Sequence, residues 1–248
     1  MSSLLNSPHH QQSDKPAYIS KVVLIGDSGV GKTALARRFV YRENTIIHYI
    51  TIGVDFMIKE IDIDTPTNTS GDLMRFHIWD TAGQERFRTV STMYYKDTTC
   101  FILMFALDNI NSFQYLVEEL YPEVVRLSNP RSQIILVGNK KDKYQIRNPI
   151  IDKRIQRWYE SCSIPYFETE MNDMNSIQKL FLHIGKQVFN DAATYGGDLP
   201  GFRDTNQTFR RIQLKHSDED DNDKRLRNKK WYRLCDCCIN DIEKDKWY

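Results

Sequence analysis

Gly26-Asp27-Ser28-Gly29-Val30-Gly31-Lys32-Thr33 is the stretch whose reading decides the fold. It satisfies G-x-x-x-x-G-K-[ST], and its setting counts for more than the match. Ahead of it, Val22-Val23-Leu24-Ile25 reads as a buried strand; behind it, residues 34–41 read as a helix. Strand, glycine-rich turn and helix together make the context in which this pattern cradles phosphates. Glycines let the backbone bend so that its N–H groups point inward, and the helix N-terminus adds partial positive charge. Lys32 then reaches for β- and γ-phosphates, and the Thr33 hydroxyl takes a Mg²⁺ position. The bland alternative is a glycine turn ahead of a surface lysine.

The 248 residues suit one ordinary domain plus tails, with 40% hydrophobic and 27% charged residues placing the chain among globular proteins. A net charge of +1 argues against a nucleic-acid partner. The five cysteines form no regular disulfide framework, which points to a reducing compartment. Residues 1–16 are polar where a signal peptide needs an apolar stretch. No run of eighteen apolar residues exists to span a bilayer.

In chain order, residues 1–18 read as a flexible arm, 19–190 as the folded domain and 191–248 as a disordered tail. Residues 54–63 alternate as an edge strand, and residues 73–79 form its hairpin partner. Thr65-Pro66-Thr67-Asn68-Thr69-Ser70-Gly71 is turn chemistry and predicts a long hairpin tip. The continuous apolar runs 100–105 and 134–137 suit strands covered on both faces. Helices are predicted over 112–127, with Ser112 as cap, over 149–162 and over 173–189. This alternation predicts an α/β fold: a mostly parallel six-stranded sheet with one antiparallel edge strand and helices on both faces. Ligands then belong at the carboxyl ends of strands.

The remaining chemistry lies just after strands. Trp79-Asp80-Thr81-Ala82-Gly83-Gln84-Glu85 supplies a strand-ending Asp80 to face the metal, most simply through water. Gly83 allows a close backbone approach to a γ-phosphate, and Gln84 is placed to orient an attacking water. After the fifth strand comes Gly138-Asn139-Lys140-Lys141-Asp142. A carboxylate there accepts two hydrogen bonds from guanine and is left unpaired by adenine, so Asp142 selects GTP over ATP. Asn139 bonds the base edge and braces the loop, while the Lys140 stem packs along the base. Thr51, in a polar loop, offers a hydroxyl to Mg²⁺ and an N–H to the γ-phosphate, and releases both when that phosphate leaves.

Thr51 is followed by Ile52-Gly53-Val54-Asp55-Phe56, and with Trp79–Arg88 (W-D-T-A-G-Q-E-R-F-R) and Tyr94-Tyr95 these stretches carry a resemblance. The chain resembles the Rab branch of the Ras-like small GTPases over residues 20–190. The resemblance implies a P-loop NTPase fold and a GTP-on, GDP-off switch of vesicle and membrane traffic. It implies that Ser28, Gly29, Val30, Gly31, Lys32, Thr33 and Ala34 bind phosphates. Thr33, Thr51 and Asp80 serve Mg²⁺, and Gln84 with Lys32 carries slow hydrolysis. Ile52, Phe56, Trp79 and Tyr94 are shown to effectors, with core packing as the alternative for the aromatic three. Effectors, an exchange factor and a GTPase-activating protein are the implied partners at the switch regions of a monomeric core. The implied location is the cytoplasm and the cytosolic face of intracellular membranes.

The departures are specific. The family's Glu-Thr-Ser-Ala-Lys stretch is here Glu168-Thr169-Glu170-Met171-Asn172, in which the Met171 N–H still meets the base and Glu170 adds a carboxylate. Ala106 stands where the family commonly has aspartate. Cys235, Cys237 and Cys238 are followed by ten further residues, so the terminus departs from a prenylation signal. Palmitoylation of these cysteines beside a basic, aromatic segment predicts a reversible membrane contact. The rival from another class is a nucleotide-binding scaffold that does not cycle. An adenylate-type kinase would need a lid and an acceptor site, and the sequence offers neither.

Overall fold

The computed structural model describes residues 17–43, 53–65, 68–83, 93–144, 146–205 and 209. Its central strand, β1 (Ala17–Gly26), carries apolar side chains on both faces, and Val22, Val23, Leu24 and Ile25 are all buried. Helix α1 (Lys32–Tyr41) follows the glycine-rich turn. β2 (Val54–Thr65) and β3 (Asn68–Thr81) make the antiparallel hairpin, and β3 lies parallel to β1. On the other side of β1 come β4 (Cys100–Ala106), β5 (Gln133–Asn139) and the short β6 (Tyr166–Glu168), all parallel. The order is β2-β3-β1-β4-β5-β6.

Helices cover both faces, as the alternation predicts. α1 and the long α5 (Met174–Thr194) pack on one face, where the rings of Phe39 and Phe181 stack 3.6 Å apart. On the other face lie α2 (Ile110–Tyr115), a wide π turn (Leu116–Leu120), α3 (Tyr121–Leu127) and α4 (Pro149–Ser161). Phe105, Phe113 and Trp158 pack beneath them.

Several expectations need correction. The hairpin is longer than predicted and its tip shorter, because Thr65 already pairs with Asn68; cross-strand bonding overrides the turn composition of residues 65–71. Asn109, not Ser112, caps α2: its side chain accepts from the Asn111 N–H. Ser112 is buried, donating to the Asn109 carbonyl at 2.6 Å and accepting from the Ala106 N–H at 2.9 Å. Among the described residues the sheet has seven strands rather than six. β7 (Phe202–Asp204) runs antiparallel to the first half of β1, pairing Ser20 with Phe202 and Tyr18 with Asp204. Tyr18 and Phe209 are almost fully buried. β1 thus begins at Ala17, and α5, β7 and Phe209 lie wholly or partly beyond residue 190.

Candidate functional site

At the end of β1 the chain turns through Gly29 and Gly31, both at positive φ, into α1. A Cβ at Gly31 would lie 2.4 Å from Asn139 Nδ2, so only glycine admits that neighbour. Lys32, the first residue of α1, is buried; its ammonium donates to the carbonyls of Gly26 at 2.7 Å and Asp27 at 2.8 Å. Burial lowers its pKa to about 8, against the pull of Asp80 and Asp27. The Thr33 hydroxyl donates to Asp80 Oδ2 at 2.5 Å. Asp80 stands at the end of β3 with no exposed surface, because β1 and β3 run in register and deliver their carboxyl ends side by side. Gly83 closes the same corner: a Cβ there would meet Lys32 Nζ at 2.5 Å and the Ser28 N–H nitrogen at 2.6 Å.

The end of β5 forms the neighbouring wall. Asn139 is buried; its Nδ2 donates to the Val30 carbonyl at 2.9 Å, and its Oδ1 accepts from Thr169 Oγ1 at 3.0 Å. Lys140 takes a left-handed backbone (φ 62°), and its ammonium lies 3.6 Å from Asp108. Asp142 is exposed in the 3₁₀ turn Lys141–Lys143. The Lys141 N–H donates to the Thr169 carbonyl, tying this loop to the Glu170-Met171 segment beyond β6. Thr169 and Arg147 are the members that sequence reasoning missed. The Arg147 guanidinium forks onto the Glu168 carboxylate, to which Tyr166 Oη also donates. Burial pushes the Glu168 carboxyl up, but Arg147 and Lys141 outweigh it and hold it below the ordinary value. The sequence carried no signal for this pair, which only the fold brings together.

On the outer face of the hairpin, Trp79 packs between Phe56, 4.9 Å away, and Tyr94, 5.0 Å away, with both rings tilted against it. Phe56 is 42% exposed, whereas Trp79 also packs against the core beneath it. Trp79 itself is half-buried. Thr51, Ile52, Gln84, Cys235, Cys237 and Cys238 lie outside the described residues.

A phosphate-loop strand and helix, an acidic β3 end and an Asn-Lys-x-Asp loop after β5 define a P-loop nucleotide-binding protein. The Ras family model matches residues 21–190, and the chain belongs to the Ras family of small GTPases, in its Rab branch. It is 36% identical to the Ras-related protein Rab-30 of Homo sapiens, over 71% of this chain and 82% of that protein. It is 33% identical to the Ypt/Rab-type GTPase avaA of Emericella nidulans, over 75% and 91%. With the Ras-related protein Rab-1D of Dictyostelium discoideum it shares 35%, over 71% and 82%. No helix among the described residues is long and apolar enough to cross a membrane.

Proposed function

We propose that this GTPase is a switch of membrane traffic that binds effectors in its GTP form and hydrolyses GTP slowly. The observation that carries this reading is the convergence of three strand ends. β1 brings Lys32 and Thr33, β3 brings Asp80 and Gly83, and β5 brings Asn139, whose carboxamide bonds the phosphate loop directly. A buried ammonium held by two carbonyls suits a phosphate chain, and a hydroxyl beside a carboxylate suits a hard divalent cation. Mg²⁺ there, held by Thr33, Thr51 and, through water, Asp80, would neutralise phosphate charge. Gln84 orients the attacking water, and Lys32 and backbone N–H groups stabilise the transferred phosphoryl group. With no arginine assigned in cis, unassisted turnover is on the order of 10⁻³ s⁻¹ or slower.

Ile52 and the Phe56, Trp79, Tyr94 face receive effectors, and an exchange factor and a GTPase-activating protein act at the same switch segments. Cys235, Cys237 and Cys238 give the tail its membrane contact. Identifying the nucleotide that copurifies, then timing phosphate release in a single turnover with and without Gln84→Leu, tests the reading. Bound guanine nucleotide and a release that slows in the variant support it. Nucleotide that stays unhydrolysed in both favours the non-cycling scaffold, to which the Glu170-Met171-Asn172 departure lends its weight.

A further inference from the structure

The segment after α5 ends in a place that the nucleotide chemistry does not explain. β7 occupies the edge of β1 beside residues 18–20, in line with β4, which takes the same edge from Val22 onward. Phe202 and Phe209 close on Tyr18 and Phe189, with ring centroids 5.2 to 6.0 Å apart. Ahead of the strand, Asp198 is anchored by Arg131 at 2.5 Å, and the same guanidinium lies over the Tyr195 ring.

The turn just before the strand bonds Lys21. The Lys21 N–H reaches the Gly201 carbonyl at 3.3 Å and Thr99 Oγ1 at 3.1 Å, while the Lys21 carbonyl accepts from the Thr99 N–H at 2.9 Å. Its side chain continues outward, donating to the Lys96 carbonyl at 2.6 Å with the ammonium 5.3 Å from the Trp79 ring centre. The turn it clamps carries Tyr94, whose carbonyl accepts from Thr98 Oγ1 at 3.0 Å. Gly201, at φ 65°, presses on this turn, and a Cβ there would lie 2.0 Å from the Asp97 carbonyl oxygen.

We propose that residues 199–204 with Phe209 form a strap that sets the Phe56, Trp79, Tyr94 surface through Lys21, so that loosening the strap re-poses Trp79 and Tyr94. The inference concerns mechanical coupling between the tail and the displayed aromatic face and rests on no step of nucleotide chemistry. A three-residue strand is a small cooperative unit that opens without unfolding the sheet. Lys21 is the joint because its backbone bonds the strap while its side chain bonds the Lys96 carbonyl and lies over Trp79. Burial lowers the Lys21 pKa in spite of Asp97, consistent with a half-buried ammonium held by a carbonyl and a ring face.

The test uses the full chain in a single nucleotide state, read by NMR and hydrogen exchange. Gly201→Val clashes with the Asp97 carbonyl in the turn that carries Tyr94, so Phe209→Ala, which loosens the strap without that clash, is run beside it. The expected result is that the Trp79 indole and Tyr94 ring signals move together with those of Phe202 and Phe209. Exchange at the Thr99 amide should rise about tenfold. In a Lys21→Met background the strap signals should still move while those of Trp79 stay in place. Phe209→Ala is read at Phe202, Trp79 and Tyr94, and decides the coupling if Gly201→Val fails to fold. Movement of Phe202 and Phe209 with Trp79 and Tyr94 unchanged overturns the coupling, and an undiminished Trp79 response in Lys21→Met removes Lys21 as its joint.

Discussion

The Asn139 carboxamide donates to the Val30 carbonyl at 2.9 Å, joining residues 109 positions apart so that the loop after β5 and the loop after β1 hold each other in place. Gly31, next to Val30, has no side chain because that carboxamide fills the space. Gly31→Ala is expected to combine a strained φ of 101° with a 2.4 Å collision, at a cost of about 1–3 kcal/mol. Guanine nucleotide affinity should fall with it, because the displaced amide belongs to both loops. Thermal melting with and without nucleotide checks both effects.

Asp142→Asn should separate specificity from stability. The residue is exposed, so the change in folding free energy is expected to stay within about 0.5 kcal/mol. Guanine loses its paired acceptor, and preference should move toward xanthine nucleotides. Competition binding with the two diphosphates reads this directly; unchanged discrimination removes Asp142 from base selection.

Asp80 is fully buried and receives the Thr33 hydroxyl. Asp80→Asn keeps the volume but loses the charge that orients this pair. Its effect is expected to be about 10- to 100-fold on the Mg²⁺ requirement for nucleotide binding. A magnesium titration of nucleotide off-rate is the measurement, with affinity in chelator as the arm that should change little.

Phe181 lies parallel to Phe39, with ring planes 4° apart, and meets Phe76 edge-on. Phe181→Ala should open a cavity between α5, α1 and the sheet and cost about 3–5 kcal/mol. Denaturant unfolding followed by circular dichroism gives the number.

Acid should weaken the fold in part through His183. Burial beside Phe167 holds its imidazole below the usual 6.5, so between 6.5 and the lower folded value the unfolded chain binds a proton that the native state does not. Stability therefore falls as pH drops through that window and is not regained below it. His183→Phe is expected to flatten the decline in melting temperature from about pH 7 to about pH 5. Some slope of the same sign should persist from His77, lowered by burial and by Arg75 and Arg203.

The site was legible where short-range pattern and chemistry coincide. The apolar run at residues 22–25 into the glycine turn, Asp80 at a strand end and Asn139 after a continuous apolar run each announce their place by neighbours in sequence. What escaped depends on partners far along the chain. Phe202-Arg203-Asp204 has no strand period of its own and becomes β7 only because β1 offers it a free edge at Ser20. Gly196-Gly197, just past the end of α5, and Gly201 take positive φ and turn the chain back toward the sheet. Thr65 to Gly71 reads as a loop until the register from Asp62–Leu73 outward carries pairing into it. Arg147 is unremarkable in sequence, since only folding brings Glu168 within its fork.

The docking of Phe209 beside Tyr18 also fixes where a leash would begin. Any anchor carried by later residues is measured from position 210 rather than 191, and the nineteen residues withdrawn shorten the maximum span by about 60 Å. Phe209 sits near the start of β1, whereas the phosphate loop follows its end. A shorter line paid out from that pole would hold the nucleotide end turned away from whatever surface the anchor grips.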